Sequence, residues 1–265
     1  MAVQAFLASS FRFLEIRGVT DVATIITNFG TEVLANSPAW TGANPYTSPT
    51  DIGDPRFMVV TLTRTSQFKL DVAIADQLGN TICTRRLTIP SGPLVTVRIY
   101  TGRYHFHIDA DNGNAAPGYV GGGILDESPE AQNAHNHYVF GNGSFSTADA
   151  STLADVSYAF MLDNVTPAGT QRVNQWSCGD STSPAIMTPN GARVYRPKEL
   201  YCIPAGGGAN LYAGRAYQAL MVPDSLVLGD EVVVPIDIGT TGTFKVCGVP
   251  GSANANNRLL AMRKA

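Results

Sequence analysis

From Phe57 to Asp109 the chain alternates apolar and polar residues with a period of two, in bursts separated by turn residues. Strands with one buried face read this way, and amphipathic helices do not. Phe68, Leu70, Val72 and Ile74 are expected on one side and Lys69 and Asp71 on the other, because successive side chains leave a strand on opposite faces. The run Asp76-Gln-Leu-Gly-Asn80 turns the chain, since Gly and Asn tolerate positive φ. Cys83, Arg85, Leu87 and Ile89 then share a face, Pro90-Ser-Gly-Pro93 breaks the strand, and Val95, Val97 and Ile99 mark the next one. After Thr101-Gly102, Tyr104, Phe106 and Ile108 form the inner face of another. The pattern predicts an antiparallel meander over residues 56–110 in one sheet system, with Leu70, Val72, Val97, Phe106 and Ile108 buried.

The flanking sequence extends this reading. Phe11 to Ile16 suits an opening strand, and Thr20 or Asp21 an N-cap for a helix in which Val22, Ile25, Ile26, Phe29 and Val33 form one apolar face through about Ala35. Gly30 within it costs ~1 kcal/mol relative to Ala, so it marks a close contact or an early end. Asn36 to Pro55 is proline-punctuated and reads as an interaction arm ordered by another subunit, with Trp40 and Tyr46 as interface anchors. Asp111 to Pro117 and Gly121-Gly-Gly123 mark a boundary between a first domain, 1–115, of strand, helix and meander, and a second β-rich domain, 116–265, with long loops. Strands are expected near 138–140, 156–162, 193–195, 199–203 and 217–222, with a hairpin around Leu228-Gly-Asp230, then 231–238, the turn Gly239-Thr-Thr-Gly242 and 243–249; the loop 166–190 carries Trp176, buried or at an interface. The fold class is mainly β, with antiparallel β-sandwich-like modules, long loops and one N-terminal helix.

Charged residues make up 15% of the chain, against about 25% in soluble domains. A surface of neutral polar groups is less costly to desolvate, which favours packing against other subunits and a homo-oligomer. The net charge of −3 offers no basic footprint for nucleic acid. No run approaches the ~20 apolar residues of a membrane helix, and the opening Met1 to Ser10 lacks the basic region of a signal peptide, so first folding in a cytoplasm is expected. Cys83, Cys178, Cys202 and Cys247 lie far apart without a C-x-x-C pair and read as buried thiols.

The histidines fall in two His-x-His pairs, His105/His107 and His135/His137. On a strand, residues i and i+2 share a face, so each pair can clip a transition metal and the two together could complete a four-nitrogen site; a polar strand face at a wet subunit contact is the plainer reading. Asp109-Ala-Asp111-Asn-Gly-Asn114 opens like a calcium loop, but Val120 stands where a bidentate Glu is required. Ala205 to Asn210 lacks the Gly-Lys-Ser/Thr of a phosphate loop, and Ser177-Cys178 and Ser144 lie in no nucleophile elbow. No enzymatic set is expected.

In the strand-rich segments Phe57 to Asp109 and Tyr217 to Val249, and in its low charge and long Gly/Pro/Thr-rich connections, the chain resembles virion structural proteins of tailed bacteriophages. That resemblance implies a non-enzymatic particle component without a cofactor, assembled in the host cytoplasm, forming a homo-oligomer and contacting other virion structural proteins in a tail, baseplate, capsid or fibre. The alternative is a carbohydrate-binding module or receptor-binding adaptor, in which Trp40, Tyr46, Tyr100, Trp176 and Tyr195 would offer stacking faces.

Overall fold

The computed structural model describes residues 11–50, 56–79, 81–92, 94–112, 118–126, 137–141, 143–144, 159–162, 170–174, 185–187, 193–195, 197–202, 211–221, 226, 229–237, 240–248 and 259–264. The chain opens with β1 (Arg12–Arg17), α1 (Val22–Leu34), β2 (Thr41–Gly42) and β3 (Tyr46–Thr47). It continues through β4 (Val59–Ser66), β5 (Lys69–Ala75), β6 (Thr81–Thr88), β7 (Thr96–Thr101), β8 (His105–Asp111), β9 (Gly118–Asp126) and β10 (His137–Gly141). Then follow β11 (Gly143–Ser144), β12 (Ala159–Leu162), β13 (Thr170–Asn174), β14 (Ala185–Met187), β15 (Arg193–Tyr195) and β16 (Pro197–Cys202). The last strands are β17 (Leu211–Met221), β18 (Glu231–Asp237), β19 (Thr240–Gly248) and β20 (Leu259–Arg263).

These strands form mainly antiparallel β structure, as the alternation predicts. A six-stranded sheet has the order β11-β6-β5-β4-β3-β2, a twelve-stranded sheet the order β1-β7-β8-β9-β10-β12-β13-β16-β17-β20-β19-β18, and β14 pairs with β15. A further pairing of β9 with β17 closes the path from β9 through β10, β12, β13 and β16 into a circuit. The meander strands form with Leu70, Val72, Val97, Phe106 and Ile108 buried, but they do not lie in one sheet. The chain leaves the smaller sheet after Ile89, whose amide donates to Phe68 O at 2.9 Å, and β7 then pairs with β1. Two apolar faces from one continuous alternation thus meet across a common core, Leu70 and Val72 from one sheet and Val97, Ile99 and Ile108 from the other. Phe68 departs from the expected face: it sits in the β4–β5 turn and is 39% exposed.

Helix α1 closes one side of this sandwich, touching β1 and β7 of one sheet and β4 of the other. Its N-cap is Asp21, whose Oδ1 accepts from Ala23 N at 2.8 Å while Arg64 donates to both carboxylate oxygens at 2.9 and 2.8 Å. Val22, Ile25, Phe29 and Val33 are buried, and Ile26 packs at the margin. Gly30 marks a close contact, because a Cβ there would strike the Tyr46 ring.

The segment after the helix overturns the arm expectation. Over residues 36–50 it is ordered by its own fold, with Trp40 and Tyr46 only 1% and 7% exposed; residues 51–55 lie outside the described set. Phe29 meets Trp40, Tyr46 and Phe106 edge-on at 6.2, 5.6 and 5.4 Å between centroids. Prolines do break the ladder, but side chains replace it. Asn44 both donates to Leu62 O (2.7 Å) and accepts from Leu62 N (2.8 Å), and Trp40 Nε1 donates to Gly102 O at 3.0 Å.

Across the expected boundary near residue 116, β8 pairs with β9, and Val120 and Val139 enter the same core. The far end of the large sheet folds back: β19 packs against β8, while Phe244 and Val246 face a smaller core with Leu220, Val232 and Val234. Every residue of β8 is therefore buried.

Two measurements check this account. Leu70→Ala should lower unfolding free energy by about 2–5 kcal/mol in denaturant titration, as for deletion of a buried leucine side chain. The second concerns Asp21, whose carboxyl is held below its ordinary value by the Arg64 hydrogen bonds and then by Ala23 N. Its stabilisation is present above the unfolded carboxyl's pKa and is lost as pH falls through the lower folded value. Asn also caps well, so Asp21→Asn should keep the helix, lose the Arg64 pairing at neutral pH, and show a shallower fall of Tm under acid.

Candidate metal centre

Strand β8 has two unlike faces. Phe106, Ile108 and Ala110 belong to the sandwich core, while His105, His107, Asp109 and Asp111 point the other way. The polar face is buried rather than wet, because β19 covers it. Room for the imidazoles comes from β9, where Gly123 pairs with His105 and Gly121 with His107. A Cβ at Gly123 would strike Tyr104 O, and one at Gly102 would strike the His105 ring. The glycine run expected to mark a domain boundary is thus the middle of a strand, and its missing side chains make space for the histidines.

The three described histidines do not converge. Gly123 pairs with His105 on one side and with Tyr138 on the other, so His137, one residue away, belongs to the opposite face. There His137 Nε2 lies 2.7 Å from Phe57 O; a carbonyl can only accept, so this nitrogen carries the proton. His135 lies outside the described residues. His105 is enclosed, 5.9 Å from the Phe11 ring, and burial, followed by the neighbouring His107 and Arg263, pushes its pKa down to about 3. It is a neutral ring at ordinary pH. The interface anchors also need correction. Trp40 and Tyr46 are core residues, because they fill the end of the sandwich beside Phe29, and Trp176 lies outside the described residues. Tyr100 is fully buried too, so none of these three offers a glycan-stacking face. The Tyr195 side chain is not among those described.

What the fold does assemble is a group from two layers. One donor atom each from His107, Asp109 and Cys247 lie within 4.8 Å of one another, and all three residues are buried. His107 Nε2 stands 3.6 Å from Asp109 Oδ2. The surroundings follow from strand register. Glu15, Arg98 and Asp109 are direct partners across β1, β7 and β8, and Phe13, Tyr100 and His107 form the adjacent row. Arg98 Nη1 donates to Asp109 Oδ1 at 2.8 Å and to Asp111 Oδ2 at 2.6 Å, with its Nε 3.5 Å from Glu15. Burial opposes the Arg98 charge, but Asp109 and Asp111 outweigh it and hold the guanidinium above its ordinary pKa. Asp109 and Asp111, which resembled a calcium loop, are instead strand residues committed to Arg98.

Tyr100 and Tyr119 flank the His107 ring at 5.7 and 6.5 Å, the second nearly parallel at 11°. The Tyr100 phenol is held well above its ordinary pKa by burial, and then by the charges of Asp109 and Cys247. Its hydroxyl and Asp109 Oδ2 have no hydrogen-bond partner among the described residues. A cleft of about 580 Å³ lined by Glu15, Thr96, Arg98 and Lys245 brings solvent to the outer side of Arg98.

His, Asp and Cys are the residue types of a nucleophilic triad and also of a mixed N/O/S metal site. Burial of all three favours the second, since a nucleophile must meet its substrate. Compared with known proteins, the sequence matches no family model and no curated protein. Reading the sequence alone missed Arg98 and gave Tyr100 and Cys247 no part in this group, though it placed Cys247 as a buried thiol. The Thr101-Gly102 turn contained a signal for the first two, because it sets the register that places Arg98 opposite Asp109 and Tyr100 opposite His107. No spacing pointed to Cys247.

Arg98→Met should leave the Asp109 and Asp111 carboxylates buried without their cation, lowering unfolding free energy by about 3–5 kcal/mol. Chemical denaturation of the wild type and variant at neutral pH measures it.

Proposed function

We propose that the chain is a non-enzymatic structural subunit that self-assembles and contacts neighbouring proteins in a particle of the tailed-bacteriophage type, built in the host cytoplasm. The observation that carries this reading is where the reactive side chains lie. His105, His107, Asp109 and Cys247 are all buried between β8 and the strands that cover it, which supports a role in joining layers. The low charge content supports the same reading, since few Lys and Glu side chains need desolvation at a contact. Among the described residues β18 ends the order of the large sheet, and it exposes Val233, 64% accessible.

Sedimentation from low salt to about 1 M, where the Debye length falls to ~3 Å, tests the proposal together with negative-stain microscopy. A discrete oligomer that persists across the range is expected, because screening weakens exposed charge pairs and leaves apolar burial intact. A strictly monomeric species at every concentration would remove the basis for assembly, and dissociation by salt would show that charges hold the subunits together.

A further inference from the structure

The group formed by His107, Asp109 and Cys247 has the dimensions of a ligand set. Zinc binds nitrogen and oxygen at about 2.0–2.2 Å and sulfur at about 2.3 Å in tetrahedral sites, which separates neighbouring donors by roughly 3.3–3.8 Å. His107 Nε2 and Asp109 Oδ2 stand 3.6 Å apart, beyond a hydrogen bond and within that range. The third donor, from Cys247, completes a group that spans no more than 4.8 Å between any two of its atoms.

The surroundings orient these donors as an outer shell does. Arg98 occupies Asp109 Oδ1 and so leaves Oδ2 turned toward His107 with no hydrogen-bond partner among the described residues. A carboxylate oxygen in that state, fully buried, calls for a bound ion or water. Tyr100 and Tyr119 fix the imidazole between their rings. The cleft reaches Arg98, whose Nη1 donates to the Asp109 carboxylate.

We propose that His107, Asp109 and Cys247 bind one divalent transition metal of the zinc class, a structural centre that clamps β19 to β8. The fourth position falls to a water held by the Tyr100 hydroxyl. Binding releases the thiol proton to solvent and changes no oxidation state. This centre goes beyond the assembly reading and does not depend on it, since it lies within one chain and is measured on whatever oligomer the protein forms.

The full chain, stripped with chelator and dialysed, is titrated with Co(II) and then Zn(II). The expected result is one Co(II) per chain, a sulfur-to-cobalt charge-transfer band in the near ultraviolet, strong tetrahedral bands in the visible, displacement by Zn(II), and a higher Tm with zinc. Cys247→Ala should abolish the charge-transfer band and the zinc-dependent rise in Tm while keeping the metal-free Tm close to wild type. Its loss of affinity should exceed the roughly 10- to 100-fold of outer-shell changes. Weak octahedral bands alone, no Tm response in the folded wild type, or a band retained in Cys247→Ala would each overturn the proposal. Should Cys247→Ala not fold, the rate of alkylation of the wild type in partially denaturing conditions decides: zinc must slow labelling of the buried Cys247, mapped by mass spectrometry, and equal rates with and without zinc would overturn the site.

Discussion

The row Glu15–Arg98–Asp109 is the interaction on which the arrangement of layers depends. One guanidinium, 8% exposed, serves carboxylates from its own sheet on both sides, and the same strands present an apolar face to the sandwich core. Replacing a buried ion pair by hydrophobic residues is often neutral or stabilising, so the row is weak evidence for stability as such. Its physical effect here is on register. A slip of one residue between β7 and β8 would turn Asp109 and Asp111 into the sandwich core and leave Arg98 facing Ile108 or Ala110. Because side chains alternate strictly along a strand, every intermediate pairing carries that cost.

β8 is buried on both sides, yet it does not read as a continuous apolar run. Strands covered on both faces usually do. Here the second face is covered by β19, which contributes Lys245 to Glu15 at 3.5 Å and Cys247 to the His107–Asp109 group. The layer contact is thus polar at its centre, with aromatic rings at its rim: Phe13 lies under Lys245 Nζ at 4.7 Å, and Phe11 under Arg263 at 4.1 Å. Such a contact is directional, since each group must meet its complement, whereas apolar surfaces can slide.

This explains what the sequence could and could not convey. Alternation from Phe57 to Asp109 located the strands and, Phe68 apart, the inward residues, because the period depends only on backbone geometry. It could not say that the polar side would also be covered, since a polar face looks the same whether water or another layer meets it. Nor could it separate one sheet from two, because β6 and β7 alternate alike and only partner choice divides them. The helix was legible in full, from the Asp21 cap to the contact at Gly30, as its determinants lie within a few residues. Trp40 and Tyr46 were misplaced for the opposite reason: proline-rich sequence signals the absence of a ladder, and the replacement bonds from Asn44 and Trp40 are long-range. The joining of His107, Asp109 and Cys247 depends on a strand far along the chain and had no local trace.

The order in which the chain is made gives the polar face of β8 a further significance. Synthesis completes β8 long before β19, so the surface bearing His107, Asp109 and Arg98 must wait in water while the rest of the chain emerges. An apolar surface waiting that long would invite association with other nascent chains, as exposed hydrophobic faces and unpaired edges do. Charged and imidazole groups remain hydrated until Lys245 and Cys247 arrive to cover them. A buried polar layer is in this sense a solvent-tolerant surface kept in reserve, suited to a partner that comes late from the same ribosome.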